Sequence, residues 1–414
     1  MEKNQLIPHL FRTEYTKITA VLCKLFGFEH IGVAEDIASD TFLAAHETWG
    51  LKGLPENPTA WLYTVAKNKA KNYLRHEAVF RQKVAGELKR GTTETDIPEI
   101  DLSAQNIHDS QLQMMFAVCH PAIVAEAQIG LALRILCGFG IEEIATAFLS
   151  NKETIAKRLQ RAKDKLRSEQ IKIEFPGKPE ISNRLDNVLT TLYLLFNEGY
   201  YSSNHNTTLR KDLCLEAMRL TFLLTENENT NQPVVHALLA LMSFQASRFD
   251  ARMDDAGEMI LYNDQDASRW DQALIQQGKD FLARSASGPK ISRFHLEACI
   301  AYGHTNKADT PEKWNNILQL YNHLLALEYS PMAALNRTYA LSKVKGKQVA
   351  LEEALKLNLG THHLYHVLLS ELYTGSDDAQ ALASLKTALH LAHSPADKKI
   401  IEQKIQALTP PAQP

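Results

Sequence analysis

Basic side chains recur at helical spacing in the segment from residue 152 to residue 167. Lys157, Arg158, Arg161 and Lys165 fall on one face of the predicted helix. The other face is apolar and consists of Ile155, Leu159, Ala162 and Leu166. Such a helix can pack on a protein with its apolar side while its cations bind phosphates. The chemistry that these residues predict is therefore binding of a polyanion.

The stretch that contains this helix reads IEEIATAFLSNKETIAKRLQRAKDKLR, from Ile141 to Arg167. Ile144, Ala145 and Phe148 form an apolar stripe on a first helix, and a tight turn around residues 149–152 follows. We expect Asn151 to cap the second helix through Thr154, which leaves the helix N-terminus free to point at DNA. Leu149 stands where many helix-turn-helix turns carry glycine, so the turn must avoid a positive φ or tolerate strain. The alternative is an amphipathic helix pair with a solvated charged face.

A second basic stretch precedes this one, from Lys67 to Arg90. It holds eight basic residues against two acidic ones, a local charge of +6, and Lys152–Arg167 carries seven against two, a local charge of +5. Between them lies the polar, acidic segment GTTETDIPEIDLSAQN, which predicts a linker. Two basic helices on separate modules fit two contacts on one extended polyanion, and duplex DNA has that form.

The segment AEDIASDTFLAAHETW, from Ala34 to Trp49, predicts an amphipathic helix with an acidic face. Ile37, Phe42 and the alanines are expected to face inward. The residues expected to face outward are Glu35, Asp36, Asp40 and Glu47. An acidic face can bind a basic protein surface. The alternative is a face that contacts only solvent.

The segment after this helix begins with an irregular loop that holds Gly50, Gly53, Pro55 and Pro58. The next helix is expected to turn Trp61, Leu62, Val65 and Ala66 toward a core, and Lys67, Asn68, Lys71 and Arg75 outward. Aromatic and amide groups beside cations can capture unstacked bases of a single strand. The alternative places the aromatic side chains in the core, and for Trp61 we favour the core.

The three segments AEDIASDTFLAAHETW, PTAWLYTVAKNKAKNYLRH and EEIATAFLSNKETIAKRLQRAKDKLR occur in this order. Together they resemble an extracytoplasmic-function RNA polymerase sigma factor of the sigma-70 superfamily. The first two segments are similar to the domain that binds core polymerase and the −10 element, and the third to the domain that reads the −35 element. The resemblance covers roughly the first 170 residues, and three ordered motifs are far more specific than one helix-turn-helix.

The resemblance implies a role for particular residues. Asp36 and Asp40 would bind basic clamp helices of the polymerase largest subunit. The loop from Gly50 to Thr59 would hold a flipped base of the non-template strand, with Asn57 as a contact. The −10 backbone would be followed by Lys67, Asn68, Lys71 and Arg75. The residues in or beside the −35 major groove would be Lys152, Glu153, Thr154, Lys157, Arg158 and Arg161. Their cations should mostly bind phosphate, and base reading falls to the residues nearest the helix N-terminus.

Helical periodicity dominates the whole chain, which predicts an all-α protein. We expect a first domain at residues 7–90, a linker at 91–108, a helix-turn-helix domain at 109–172 and a helical C-terminal extension at 180–408. The extension resembles degenerate tetratricopeptide repeats, with helical pairs around the turns LSKVKGKQ and LYTGSDDA. The polar run of residues 263–271 beside Trp270 predicts either a ligand contact or a regulatory contact with the sigma domains. The alternative is an N-terminal helix cap with Trp270 in the core.

Composition limits the classes of function. The 414 residues carry a net charge of −3, so DNA binding must come from local patches. The five cysteines are scattered and fit buried free thiols, and the N-terminus lacks an apolar leader segment, so we expect a cytoplasmic protein. His362 and His366 have helical metal spacing but no further ligand. We found no catalytic constellation and expect no metal, no cofactor, no enzymatic activity and no membrane association.

The prediction from sequence is an alternative sigma factor that directs core RNA polymerase to promoter DNA. Its C-terminal helices are expected to regulate the sigma domains, by an intramolecular contact or by binding a protein partner. One alternative is a free-standing helix-turn-helix regulator with a C-terminal ligand- or protein-sensing domain. The other is an enzyme or small-molecule sensor in the C-terminal half with an attached DNA-binding head.

Overall fold

The computed structural model describes residues 3–84, 98–148, 150–200, 207–252, 260–393 and 395–409. Within these ranges the chain forms 18 α-helices and no strand, so the all-α prediction is confirmed. The sequence predicts that the turn at Leu149 avoids a positive φ or is strained. Leu149 lies outside the described residues. The chain divides into two compact units, Met1–Glu198 and Gly199–Pro414.

The first unit is built around its N-terminal helix. That helix, α1, packs against the second, third and fourth helices, and its Tyr15, Ile18 and Leu22 are fully buried. The helices of this unit are α1 (Lys3–Phe26), α2 (Ile31–Lys52), α3 (Pro58–Val84), α4 (Ala104–Val118), α5 (Ala125–Leu131), α6 (Ile141–Ala147), α7 (Lys152–Ser168) and α8 (Lys178–Tyr200). A short π-helical segment, Ala132–Leu136, continues α5.

The loop between α2 and α3 is shorter than predicted. Gly50 belongs to α2, which ends where Gly53 takes a φ of 85°, a conformation that favours glycine. α3 begins at Pro58, a residue that suits the first turn of a helix because that turn needs no backbone N–H from it. The loop therefore comprises residues 53–57.

The segment between the two predicted N-terminal modules is more ordered toward its end than its polar composition indicates. Residues 85–97 lie outside the described part of the chain. Ile100 and Leu102 are buried, and α4 begins at Ala104, inside the segment 91–108 that the sequence assigned to a linker. The Ser103 side chain caps α4 by accepting from the Asn106 N–H, which explains why the helix begins there.

α8 joins the first unit, although the predicted C-terminal extension begins at residue 180. Arg184 donates to the Phe116 carbonyl at 2.7 Å, and Thr191 donates to Gln128 Oε1 at 2.7 Å. These bonds fix α8 to the end of α4 and to α5. The domain limits that the sequence suggests stay predictions, but a compact first unit requires residues up to about Glu198.

The second unit is a succession of helices in which neighbours along the chain pack against each other. Small side chains lie where they meet, such as Ala340 and Ala350 between α14 and α15, and Ala381 on α17. The helices are α9 (Thr207–Leu223), α10 (Pro233–Ala246), α11 (Gln272–Ser285), α12 (Arg293–Gly303), α13 (Pro311–Leu327), α14 (Pro331–Lys345), α15 (Lys347–Ala354), α16 (His363–Tyr373), α17 (Asp378–Leu391) and α18 (Pro395–Leu408). Helical pairs are therefore present, and their assignment to tetratricopeptide repeats stays a prediction.

The polar run before α11 has a structural role. Trp270 is buried against Ala251 and Ile275, and Tyr262 packs beside it. Asp271 accepts from the Leu274 N–H at 3.0 Å and so caps α11. The predicted cap and the core position of Trp270 are therefore confirmed.

Two further findings concern the cysteines and the length of the apolar helices. Cys23, Cys119, Cys137 and Cys214 are buried free thiols, and Cys299 is partly buried. No helix in the described ranges has both the length and the apolar character that a membrane span needs.

Candidate nucleic-acid interface

α6 and α7 form the helix-turn-helix that the sequence predicts. Asn151 Oδ1 accepts from the Thr154 N–H at 2.8 Å, so the predicted cap is confirmed. All four residues of the predicted apolar stripe on α7 are buried, namely Ile155, Leu159, Ala162 and Leu166. On α6, Ile144 and Ala145 are buried and Phe148, which ends the helix, is partly buried. The N-terminus of α7 therefore stands free, with its first residues exposed.

The six residues predicted at the −35 element lie on the first three turns of α7. Five are exposed and Arg158 is partly exposed. Lys152 is already bound, because its Nζ donates to Glu142 Oε1 of α6 at 2.7 Å, and this bond raises the pKa of Lys152. In the part of the chain that the structure describes, Lys157, Arg158 and Arg161 make no ion pair. These three are thus the cations available to phosphate.

The remaining cations of α7 are engaged within the protein. Lys165 binds Glu169 at 2.6 Å, and Arg167 binds Asp164 at 2.9 Å. Lys163 lies on the side of the helix that faces the rest of the unit. The local charge of +5 therefore overstates the charge that α7 can offer to a polyanion.

The residues predicted at the −10 element lie on one side of α3. Asn68, Lys71 and Arg75 are exposed and Lys67 is partly exposed, whereas Leu62, Ala66 and Ala70 on the opposite side are buried. The spacing of three to four residues explains this division, since it returns to the same face of a helix. The structure thus brings these four side chains together on a surface. Arg81 and Lys83, which add to the basic count of this stretch, belong to the part of α3 whose side chains are not described.

Asn57 has a local structural role at the start of α3. Its Oδ1 accepts from the Ala60 N–H at 3.0 Å, which caps the helix while the residue stays exposed. Trp61 packs edge-on against the buried Trp49, with ring centroids 5.3 Å apart, and is itself only partly buried. The prediction that Trp61 lies in the core is therefore confirmed only in part.

The acidic helix presents three of its carboxylates to solvent, those of Asp36, Asp40 and Glu47. Asp36 is exposed, and the side chain of Asp40 is 61% exposed, with only a long 3.4 Å contact to Lys69. Both lie on α2 and remain accessible to a basic protein surface.

Glu35 was expected on that exposed face, and this expectation is wrong. Its Oε1 accepts from Arg134 Nε at 2.8 Å, and its Oε2 accepts from Lys163 Nζ at 2.6 Å. The side chains of Glu35 and Lys163 are only 10% and 15% exposed. The periodicity of one helix cannot reveal that another part of the chain covers its polar face. We call this ionic contact of Glu35, Arg134 and Lys163 the Glu35 bridge.

The π-helical segment supplies the arginine of the bridge. The Cys137 N–H donates to the Ala132 carbonyl at 3.1 Å, five residues back, and Arg134 Nη1 donates to the Phe139 carbonyl at 3.2 Å. Burial alone would lower the pKa of Arg134, but the charge of Glu35 and the hydrogen bond to it raise the pKa. Arg134 was not predicted from the sequence. Its only signal there is that it is a single cation inside the apolar run LALRILCGFG.

Comparisons with known proteins bear on both units. Residues 10–79 match the family described as Sigma-70 region 2, and residues 184–286 match a family of unknown function, DUF6596. The uncharacterized protein R00370 of Rhizobium meliloti (strain 1021) is 31% identical over 387 residues, which are 92% of this chain and 91% of that protein. No solved structure matches the chain.

Proposed function

We propose that the chain, which belongs to the same protein family as R00370 of Rhizobium meliloti (strain 1021), is an alternative sigma factor of the extracytoplasmic-function type. Its N-terminus carries a sigma-70 region 2 domain, which implies a sigma-factor-type role in promoter recognition. Such a domain also points to a non-catalytic subunit of RNA polymerase, with core polymerase and promoter DNA as partners.

One observation carries the proposal: the sigma-70 region 2 match covers all of α2 and most of α1 and α3. Its two exposed charged faces have opposite signs. α2 offers the carboxylates Asp36 and Asp40, and α3 offers Asn68, Lys71 and Arg75. A negative face suits a basic surface of polymerase, and a positive face suits DNA phosphates.

In this proposal α7 enters the major groove near the −35 element. Lys157, Arg158 and Arg161 bind phosphates and set the register of the helix. Glu153 and Thr154, on the exposed first turn, are placed to reach base edges, since a recognition helix contacts bases with its N-terminal residues. Lys152 can join them only after it leaves Glu142.

At the −10 element, α3 follows one strand while the loop of residues 53–57 holds a base that has left the duplex. Asn57 keeps its amide N–H₂ available, because only its oxygen is used in capping α3. Taking a base out of the stack costs a few kcal/mol, and the phosphate contacts of α3 offset part of that cost.

The C-terminal helices are proposed to regulate the sigma domains, through an intramolecular contact or a protein partner. Two observations support this role. The unit is large and made of helical pairs, and the DUF6596 match runs from within α8 to the end of α11 without a break. α8 belongs to the first unit for most of its length, so one family segment reaches both units.

Purified protein, core polymerase and genomic DNA fragments test the sigma-factor proposal. We expect the protein to bind core and to direct run-off transcription from new start sites. Asp36→Asn with Asp40→Asn should weaken core binding, and Glu126→Gln, which changes an exposed carboxylate on α5, serves as the control. Absence of core binding and of new start sites refutes the proposal. Binding of duplex DNA without any core binding favours the free-standing regulator instead.

A truncation tests the regulatory proposal. The chain should end after Glu198, because an earlier end removes helix that belongs to the first unit. We expect the shortened protein to differ from the full chain in core affinity or in promoter activity. If both quantities are unchanged, the C-terminal unit has no regulatory role in this assay.

A further inference from the structure

We propose that the second unit binds a small dianion, a phosphate or a phosphate monoester, at a cluster of basic and aromatic side chains. Three cations and two rings alternate in this cluster, namely Arg248, Tyr262, Lys313, Trp314 and Lys343. We call it the Tyr262 cluster. All five residues belong to the second unit, so binding at the cluster requires neither polymerase nor promoter DNA.

Each ring of the Tyr262 cluster has two cations beside it. Arg248 Cζ is 5.3 Å and Lys313 Nζ is 5.4 Å from the centre of the Tyr262 ring. Lys313 Nζ and Lys343 Nζ are 5.4 Å and 5.6 Å from the centre of the Trp314 ring. Cations within about 6 Å of a ring centre are attracted by the ring. The two rings thus stabilise like charges that repel one another.

The cluster is assembled from four separate segments. Arg248 lies two residues beyond the end of α10, and Tyr262 begins the short helical turn Tyr262–Asp264. Lys313 and Trp314 lie at the start of α13, and Lys343 lies in the last turn of α14. Tyr262 and α13 are also joined by a hydrogen bond of 3.2 Å from Lys313 Nζ to the tyrosine oxygen. A ligand bound by the three cations therefore connects the end of α10 with α13 and α14.

Positive charge exceeds negative charge in the cluster. Asp309 Oδ2 accepts from Lys343 Nζ at 3.1 Å, whereas Arg248 and Lys313 make no ion pair within the described residues. Glu371 acts on Lys343 more weakly than Asp309 does, and it has its own ion pair with a lysine of α18. Three cations against one paired carboxylate leave an excess of two charges. This excess matches the charge of a phosphate dianion.

The excess charge affects the titrating groups of the cluster. Burial lowers the pKa of Lys313, and Arg248 and Lys343 lower it further, although Asp309 raises it. Burial and the charges of Arg248 and Lys313 lower the pKa of the neighbouring His304 to about 3. A bound anion would oppose both effects by neutralising the cations.

Two buried N–H donors near Tyr262 have no hydrogen-bond partner among the described residues. They are Arg248 Nε and Trp270 Nε1. The guanidinium of Arg248 donates to Tyr200 Oη at 3.3 Å through Nη2, and the Trp270 ring stacks 6.1 Å from the ring of Tyr262. Buried donors are normally bonded, because an unpaired donor destabilises the fold. A phosphate group, whose oxygens all accept, is the class of ligand that suits a site rich in donors.

The rings of the cluster favour a small ligand over a strand of nucleic acid. Proteins that bind single strands stack bases on accessible aromatic rings. Trp314 and the neighbouring Trp270 are only 7% and 4% exposed. The faces of Tyr262 and Trp314 are also beside cations of the protein itself. Bases therefore lack a free ring, whereas a phosphate group needs only the cations.

Calorimetric titration of the full-length protein tests the site. The probes are inorganic phosphate and glycerol 3-phosphate at about pH 8, where both are mostly dianions. Sodium chloride keeps the ionic strength constant, and acetate serves as the monoanion control. We expect saturable binding of one phosphate per chain with a Kd at or below about 1 mM, and much weaker binding of acetate.

Substitutions of opposite charge separate ligand binding from a structural role. Lys313→Gln and Lys343→Gln each remove a cation and should weaken phosphate binding about tenfold. Asp309→Asn removes the opposing carboxylate but keeps an oxygen that can accept from Trp314 Nε1, and it should tighten binding about threefold. The side chain of Lys343 is 32% exposed, so its variant decides the test if Lys313→Gln does not fold.

Arg284→Gln on α11 is the matched control, because Arg284 also lies over a ring, that of Phe281, outside the cluster. Its Kd should equal that of the unsubstituted protein. The proposal is overturned if neither phosphate probe binds saturably, or if the lysine variants bind phosphate as the unsubstituted protein does. Weaker binding by Asp309→Asn would also contradict it. Binding of a single-stranded oligonucleotide without binding of either small anion would assign the cluster to nucleic acid instead.

Discussion

Arg184 donates a hydrogen bond to the carbonyl of Phe116 at 2.7 Å and so fixes α8 to the last turn of α4. The Phe116 ring packs edge-on against Phe175, with ring centroids 5.1 Å apart. Thr191 makes a second bond from α8, to Gln128 of α5. The helix-turn-helix module is therefore completed by Arg184 and Thr191, which follow the end of α7 at Ser168 by 16 and 23 positions.

A chain that ends after Pro179 should be markedly less stable than one that ends after Glu198. The shorter chain loses Arg184 and Thr191 and with them the hydrogen bonds to the Phe116 carbonyl and to Gln128, each worth about 0.5–1.5 kcal/mol net, and it also loses the apolar side of α8. Thermal unfolding of the two fragments, followed by circular dichroism, measures the difference. Equal melting temperatures would show that α8 does not stabilise the helix-turn-helix module.

Salt dependence should identify the cations that bind phosphate. Each phosphate contact contributes about 0.9 to the slope of log affinity against log salt concentration for B-DNA. Lys157→Ala with Arg161→Ala should therefore lower the slope by about 2, because both side chains are exposed and make no ion pair within the described residues. Fluorescence anisotropy with duplex DNA at several salt concentrations gives the slope.

Lys165→Ala is the control for this experiment. Lys165 has the same charge on the same helix, but it is bound to Glu169 at 2.6 Å. Its removal should change the slope little. A slope that falls as much for Lys165→Ala as for each of the two removed cations would contradict the assignment.

Stability should fall in acid because of His304. Burial, followed by the charges of Arg248 and Lys313, lowers the pKa of His304 from 6.5 to about 3. Between these values the unfolded chain binds a proton that the folded chain does not, so the free energy of unfolding decreases as pH falls. One proton corresponds to about 1.4 kcal/mol per pH unit, well below the unfolded pKa.

His304→Phe tests this pH dependence. The substitution keeps a ring between Tyr262 and Trp314, whose centroids lie 5.2 Å and 5.8 Å from that of His304, and it removes the titrating group. Urea unfolding at about pH 7.5 and about pH 5 should show a smaller acid loss in the variant. The other histidines are the same in both proteins. The difference between their two losses of unfolding free energy is therefore due to His304. Parallel curves would show that His304 is not held neutral.

Close packing between α10 and α11 should make Gly278 intolerant of substitution. A Cβ at this position would lie 2.6 Å from the ring of Phe244, which is fully buried. Gly278→Ala should therefore destabilise the protein by about 1–3 kcal/mol through overpacking. Denaturant unfolding measures the effect, and Phe244→Leu in the same chain should restore part of the loss.

Gly32→Ala provides the comparison. Gly32 is also helical, but a Cβ there would meet nothing within 4 Å. Alanine favours a helix over glycine by up to about 1 kcal/mol, so this substitution should leave the protein equally or more stable. Destabilisation of similar size at both sites would mean that helix geometry, and not contact with Phe244, sets the cost.

The sequence predicts those features that depend on residues close together in the chain. The stripe of Ile155, Leu159, Ala162 and Leu166 and the cap at Asn151 both follow from helical spacing and both occur. The exposed group on α3 follows from the same rule. Local patterns are sufficient here because a helix positions its side chains within one or two turns.

Contacts between distant segments could not be predicted in this way. Glu35 has the spacing of an exposed residue, and only the approach of Arg134 and Lys163 buries it. The π-helical segment that contains Arg134 has no sequence signature that we recognised. The sequence also did not predict that α8 belongs to the first unit, because Gly177 and Pro179 indicated a boundary at the start of this helix.

The central position of α1 has a consequence for synthesis on the ribosome. α1 ends at Phe26 but packs against α4 and the π-helical segment, which ends at Leu136. At about 5–20 residues per second, the first helix waits roughly 5–20 s before its last neighbours are made. During that interval the apolar sides of Ile18 and Leu22 stay without part of their final cover. The nascent chain therefore exposes apolar surface of α1 until synthesis has passed Leu136.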